Sequence, residues 1–230
     1  MCVASTRWST APLLHAPGRY RGGEGDDPEG FRAANAEGTA RLFSAAAEAG
    51  VGRIVFLSSR AVYGPKVPGS TLTEDTICTP DTLYGTVKLA GEAALARCHP
   101  AGISLRATGV YGPPAPGQRH KWADLFEAFA AGERLPPRIG TEVHGEDLAT
   151  AVRLALTVAE PGPLNVSDLC LDRRDMLALW SEVSGCAGHL PERSDSAAVN
   201  AMDTSRLRAL GWRPGGMAKL HHTLVDLARR

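Results

Sequence analysis

Residues 53–64 read RIVFLSSRAVYG. From Ile54 to Leu57 every side chain is apolar, without the polar alternation of a half-exposed strand. That pattern belongs to a strand covered on both faces, and so to a parallel sheet. Two serines, Ser58 and Ser59, close the run, and Gly64 ends the turn beyond them. Upstream, GFRAANAEGTARLFSAAAEAG (30–50) reads as one helix with Phe31, Leu42 and Phe43 among alanines and Gly50 as its stop. PLLHA (12–16) reads as a short buried strand, and RGGEGDD (21–27) as a loop. Downstream lies a polar loop with Pro65, Pro68, Gly69 and Pro80, where Thr79 followed by Pro80 predicts a helix opening. The helix should run from about 81 to 98 and lead into ISLRATGVYG (103–112), a strand with its exit turn. Strand, helix, strand, helix, strand is the order of an α/β protein with a parallel sheet.

After Gly112 the character changes. PPAPG (113–117) is a proline-rich break, followed by shorter helical stretches: KWADLFEAFAAG, GEDLATAVRLAL, RRDMLALWSEVSG and a last one from about 217. PLNVSD (163–168) reads as a lone strand. The expected organisation is a first part over 1–112 and a small, mostly helical lobe over 113–230, with about 142–166 returning to the main sheet. No internal repeat or low-complexity tract is visible.

Lysine plus arginine equals aspartate plus glutamate, 25 against 25, so no global charge points to nucleic acid or an anionic membrane. The five cysteines (Cys2, Cys78, Cys98, Cys170, Cys186) are odd in number and contain no C-x-x-C. That argues against a disulfide or zinc framework and for a reducing cytoplasm. No apolar run approaches a membrane span, and the N-terminus lacks the apolar core of a signal peptide.

Chemistry concentrates in LYGTVKLAGE (83–92). Tyr84 and Lys88 stand one helical turn apart and share a face. Gly91 and Leu95 continue that face, and Gly91 lets the helix lie close to the sheet. An ammonium beside a phenol favours the phenolate, which makes the tyrosine a usable proton donor and acceptor. With four tyrosines and four lysines, such a pair arises by chance in roughly one sequence in fifteen, so the spacing alone decides nothing. The bland reading is a packed tyrosine beside a solvated lysine. What shifts the balance is Ser59, 25 residues before Tyr84, at the carboxyl end of a strand where open α/β sheets bind their ligands.

Taken together, SS-x-x-VYG, then YGTVK, then LRATGVYGP resemble the extended short-chain dehydrogenase/reductases, the NAD-dependent epimerase/dehydratase family. NAEGTARL (35–42), EVHGEDLATAV (142–152) and DTSRLRALGWRP (203–214) resemble further family segments in the expected order, over roughly residues 12 to 225. The resemblance implies a Rossmann-like fold and hydride transfer at a carbinol or carbonyl carbon, with NAD or NADP as cofactor. Tyr84 would exchange a proton with the substrate oxygen, Lys88 would hold the ribose and tune Tyr84, and Ser59 would position the reacting oxygen. Ala16, Pro17, Asn35 and Ser58, with Tyr84 and Lys88, would line the cofactor site. His144 and Asp147 fall in a segment that mostly packs and caps a helix. His221 and His222 show no metal-ligand spacing, and no metal site is expected.

The family's G-x-x-G-x-x-G turn, with a ribose-reading residue about 20 positions later, has no counterpart here. The glycines of RGGEGDD have the wrong spacing, and two acids there would repel a pyrophosphate. The expectation is therefore a truncated Rossmann-like parallel sheet, with the 12–16 strand as an open edge. Three readings stay open: a piece of a longer NAD(P)-dependent enzyme, a non-catalytic remnant that binds a ligand or partner, and an assembly in which a partner chain supplies the missing strands; a homodimer stays open as well. The substrate is a small molecule, a sugar nucleotide or a simpler carbonyl or alcohol.

Overall fold

The structure, a computed structural model, describes residues 8–11, 23–157 and 160–229. Four parallel strands form the main sheet in the order β1 (Trp8–Ala11), β2 (Arg53–Ser59), β3 (Ile103–Ala107), β6 (Gly162–Val166). The strand read at 12–16 lies outside the described residues, and the one that pairs with β2 is Trp8–Ala11. PLNVSD is no lone strand, because Leu105 stands opposite Leu164 in the β3–β6 ladder.

β2 shows why its sequence has no polar alternation. Ile54 and Phe56 face α3 (Gly38–Glu48) and α4 (Leu83–Cys98), in a cluster with Phe43, Ala46, Ala94 and Leu95. Val55 faces the opposite layer, where Ile103, Leu105 and Leu164 pack on Leu148, Ala151 and Ala155 of α6 (Gly145–Ala155) and on Leu207 and Trp212. Each fully buried side chain of this kind contributes roughly 1.5–3 kcal/mol, so both layers hold the strand in register.

Two readings before β2 change. The segment 21–27 is not all loop: α1 spans Gly23–Asp26, and Asp27 caps α2 (Pro28–Arg32) by accepting the Gly30 N–H at 2.8 Å. The 30–50 helix is interrupted by a π-helical turn at Ala33–Glu37. Past β2, the α4 cap is Thr82, whose hydroxyl accepts the Gly85 N–H at 3.0 Å, rather than Thr79. Thr79 instead bonds the Tyr63 carbonyl and accepts from Lys66, so the helix starts one threonine later.

The second half carries more strand than its sequence suggests. ISLRATGVYG splits at Thr108 into β3 and β4 (Gly109–Tyr111), which belong to different sheets. β4 runs parallel to β5 (Ile139–His144), and β5 pairs antiparallel with β7 (Leu169–Asp172). Within 142–166, then, only β6 joins the main sheet, while Glu142–His144 belongs to the second. Helices α5 (Ala123–Ala130), α7 (Arg173–Ser184) and α9 (Gly216–Ala228) close this sheet through Phe126, Phe129, Leu177, Leu220 and Leu224. A short α8 (Ser205–Ala209) carries Leu207 back to the main sheet. Among the described residues no helix is long and apolar enough to cross a membrane.

Candidate active site

At the carboxyl end of β2 the chain turns directly into a 3-10 helix, Arg60–Tyr63. Successive strand residues point to opposite faces, so the two serines part company. Ser58 is buried and donates to Glu92 Oε1 of α4 at 2.5 Å. Ser59 caps the 3-10 turn, its hydroxyl oxygen accepting the Ala61 N–H at 3.1 Å. That bond orients the side chain while leaving its own proton to be donated elsewhere.

α4 is locked onto this turn by glycine. A Cβ on Gly85 would stand 2.5 Å from the Ala61 carbonyl oxygen, and one on Gly91 would stand 2.6 Å from the Phe56 ring. Tyr84 is therefore held beside the residues that follow Ser59. Lys88, 4% exposed, donates to the Leu57 carbonyl at 2.8 Å, and its Nζ lies 5.6 Å from the Tyr84 ring centre and 5.2 Å from that of Phe56. Burial pulls the Lys88 ammonium down to a pKa of about 8. Strand exit and helix start thus bring Ser59, Tyr84 and Lys88 to one end of the sheet.

Asn35 sits in the π turn, which packs against α4. Its Nδ2 donates to the Phe31 carbonyl at 2.9 Å, so the side-chain amide is bonded back along its helix, while its backbone carbonyl accepts the Thr39 hydroxyl at 2.6 Å. Ala16 and Pro17 lie outside the described residues. His144 caps α6, its Nδ1 accepting the Glu146 N–H at 3.2 Å. Asp147 accepts from Lys219 at 2.6 Å and from the Gly215 N–H at 3.0 Å. His221 and His222 are exposed on α9. No cluster of three or more metal-ligating side chains occurs among the described residues.

Beneath the serines runs a buried polar network that sequence reasoning missed. Arg106, 6% exposed, holds Glu92 through Nη2 at 2.7 Å and Nε at 3.1 Å. Burial alone would lower the Arg106 pKa, but the Glu92 hydrogen bonds and charge outweigh it and the net shift is upward. Arg106 also donates to the Tyr63 hydroxyl at 3.1 Å, and that hydroxyl donates to Asn165 Oδ1 at 2.7 Å. The Asn165 N–H donates to Glu74 at 2.9 Å, which ties the second-half strand β6 to the loop after β2. The only sequence signals were an arginine inside an apolar strand and a glutamate four residues beyond Lys88.

Two clefts adjoin these elements. One of about 490 Å³ runs along Tyr111–Ala115, Gln118–Lys121 and the start of α6, and Ser59, Tyr84 and Lys88 are not in its lining. A smaller one, about 310 Å³, is lined by Arg60, Ile139–Thr141, Asp195 and Ala198–Asn200. The smaller cleft takes in Arg60, the residue after Ser59, while Ser59, Tyr84 and Lys88 are outside its lining too. Ser59 pairs with Ala107 in the β2–β3 ladder, and the next residue, Thr108, bonds the Thr141 carbonyl at 2.5 Å.

A parallel sheet sandwiched by helices, with polar residues gathered at its carboxyl ends, defines a Rossmann-like α/β protein. The profile of the NAD dependent epimerase/dehydratase family matches residues 16–167, and the chain belongs to that family. No curated protein matches the sequence significantly. Among solved structures, the chain is similar to the UDP-N-acetylglucosamine 4-epimerase from Methanobrevibacter ruminantium M1 in complex with UDP-N-acetylmuramic acid. That match has 22% identity and a TM-score of 0.75, and covers 94% of this chain and 74% of the other. The dTDP-glucose 4,6-dehydratase DesIV from Streptomyces venezuelae, with NAD bound, gives 22% and 0.70, over 94% of this chain and 70% of the other. The GalE-like L-threonine dehydrogenase from Cupriavidus necator gives 21% and 0.73, over 94% and 77%. At these identities the likeness establishes the fold. The neighbours catalyse different reactions, so the fold does not choose among them.

Proposed function

We propose that the protein is an NAD(P)-dependent oxidoreductase, epimerase or dehydratase acting at a carbinol or carbonyl carbon through Ser59, Tyr84 and Lys88. The observation that carries this reading is Lys88: a buried ammonium with one hydrogen bond, to the Leu57 carbonyl, and no carboxylate in ion-pair range among the described residues. An ammonium has three donors, so two are unspent. A cation left in that state suits a ligand rich in hydroxyl oxygens, and the ribose of a nicotinamide dinucleotide fits it. When bound, that cofactor supplies the acceptor or donor of the hydride.

The chain's own residues do the rest. Tyr84 takes the proton from a substrate hydroxyl or returns it to a carbonyl oxygen. The Lys88 charge stabilises the phenol oxygen while the proton is away. Ser59 donates a hydrogen bond to the same substrate oxygen and fixes its position. The Ser58–Glu92–Arg106 network holds β2 and α4 at the separation this geometry needs. Neighbours solved with UDP-N-acetylmuramic acid or acting on dTDP-glucose support a nucleotide-linked sugar as substrate, and the threonine dehydrogenase supports a simpler secondary alcohol.

Tyr84→Phe is the direct test. Turnover on UDP-N-acetylglucosamine, dTDP-glucose or L-threonine, whichever the wild type accepts, should fall by roughly 10²–10⁴-fold. NADH binding, followed by fluorescence, should change little. Undiminished turnover in this variant would overturn the assignment.

A further inference from the structure

Arg60, the residue after Ser59, has no counter-ion among the described residues. Its Nε is buried and has no hydrogen-bond partner, and its single hydrogen bond runs from Nη2 to the Asn200 carbonyl at 3.0 Å. No carboxylate lies within ion-pair range of it among the described residues. Asp195, the one acid lining the same cleft, turns its carboxylate to the Ala197 N–H at 2.9 Å and caps the Ser196–Ala198 turn. The desolvation is felt: burial lowers the Arg60 pKa, against a weaker opposing contribution from Tyr63. The side chain is half-buried, with Nε the atom shielded from water.

Its surroundings are built rather than loose. Asn200 clamps the loop after β2 by donating to the Ser70 carbonyl at 3.1 Å and the Val67 carbonyl at 2.6 Å. The parallel bridge between Leu72 and Met202 continues that contact. The cleft opens past the carboxyl end of β2, between Arg60, the start of β5 and the Asp195–Asn200 segment, and parallel sheets bind ligands at the carboxyl ends of their strands.

We propose that this cleft receives an oxyanion of the substrate, a carboxylate or a phosphoryl group, with Arg60 as the residue that selects it. Nη1 and the remaining Nη2 hydrogen supply the two parallel donors of a bidentate contact. Ser59 and Arg60 are consecutive in the chain, and an anion carried on the substrate would bring both side chains to one molecule. This rests on the reading of Ser59 given above, but its test needs no turnover.

Calorimetric binding of UDP-glucose and UDP-glucuronic acid, which differ by one carboxylate, should be compared in wild type, Arg60→Gln and Arg60→Lys. If the anion is a carboxylate, wild type binds UDP-glucuronic acid about ten-fold or more tighter than UDP-glucose, and Arg60→Gln removes the difference. If it is phosphoryl, Arg60→Gln weakens both ligands, and UDP alone, by a similar factor. Arg60→Lys keeps the charge without the fork and should fall between. In parallel, phenylglyoxal labelling of wild-type Arg60, read by mass spectrometry, should be slowed by UDP-glucuronic acid or inorganic phosphate. Equal affinities in all three proteins, or labelling of Arg60 that neither anion slows, overturns the proposal. A Tyr84→Phe variant that still turns over would sink the catalytic reading without touching this one.

Discussion

Lys88 shows at residue scale how burial sets behaviour. Its folded pKa of about 8 lies below the ordinary 10.5. Below pH 8 the ammonium is charged in both folded and unfolded chains, and the burial cost is fully present. Between about 8 and 10.5 the unfolded chain binds the proton that the folded chain has lost, so stability rises with pH. Urea unfolding of wild type against Lys88→Met should therefore move in favour of the wild type by about 3 kcal/mol across that window. A pH-independent difference would mean that the ammonium is solvated. Any activity that needs the charged form should decline above pH 8. The Tyr84–Lys88 pair was legible because a helix repeats its faces every three to four residues. The role of Ser58 was not, since Ser58 and Ser59 look alike until alternation along β2 sends one of them to Glu92.

Among the elements, α4 depends on two glycines whose reasons differ. Gly91→Ala gains up to about 1 kcal/mol of helix propensity. It also drives a methyl to 2.6 Å from the Phe56 ring, in a fully buried layer where overpacking costs roughly 1–3 kcal/mol. The variant should be the less stable protein, and thermal unfolding would show it; an unchanged or raised midpoint would mean that Phe56 yields freely. Gly85 meets the Ala61 backbone instead, which cannot rotate away. The α4 start was misplaced by one threonine because Pro80 makes Thr79 the stronger local signal, whereas in the fold the Tyr63 carbonyl and Lys66 claim Thr79. The break between β3 and β4 was hidden for a similar reason. ISLRATGVYG is a continuous strand-like run, and it changes sheets where Thr108 bonds Thr141.

Across the whole molecule, the Glu92–Arg106 pair and its partners join β2, α4, β3 and β6. Replacing one member leaves a buried charge uncompensated. Glu92→Gln should lower the unfolding free energy by about 3–5 kcal/mol, measured in urea, whereas a simultaneous Arg106→Met should recover much of it. Loss of less than about 1 kcal/mol in the single variant would show that water reaches the pair. The network also bears on what the chain could disclose unaided. The apolar runs, helix faces and turn residues lie within a few positions of one another, so the α/β alternation and the parallel strands could be read directly. Tyr63 and Asn165 are 102 residues apart, and Arg60 reaches Asn200 across 140. Their meeting depends on the folded main sheet setting β6 near the exit of β2, and on the Asn200 segment packing against the loop that follows. Periodicity in the chain reports which face of an element is buried, while the burial that shields Arg60 Nε and ties Arg106 to Glu92 exists only once distant segments have closed around them.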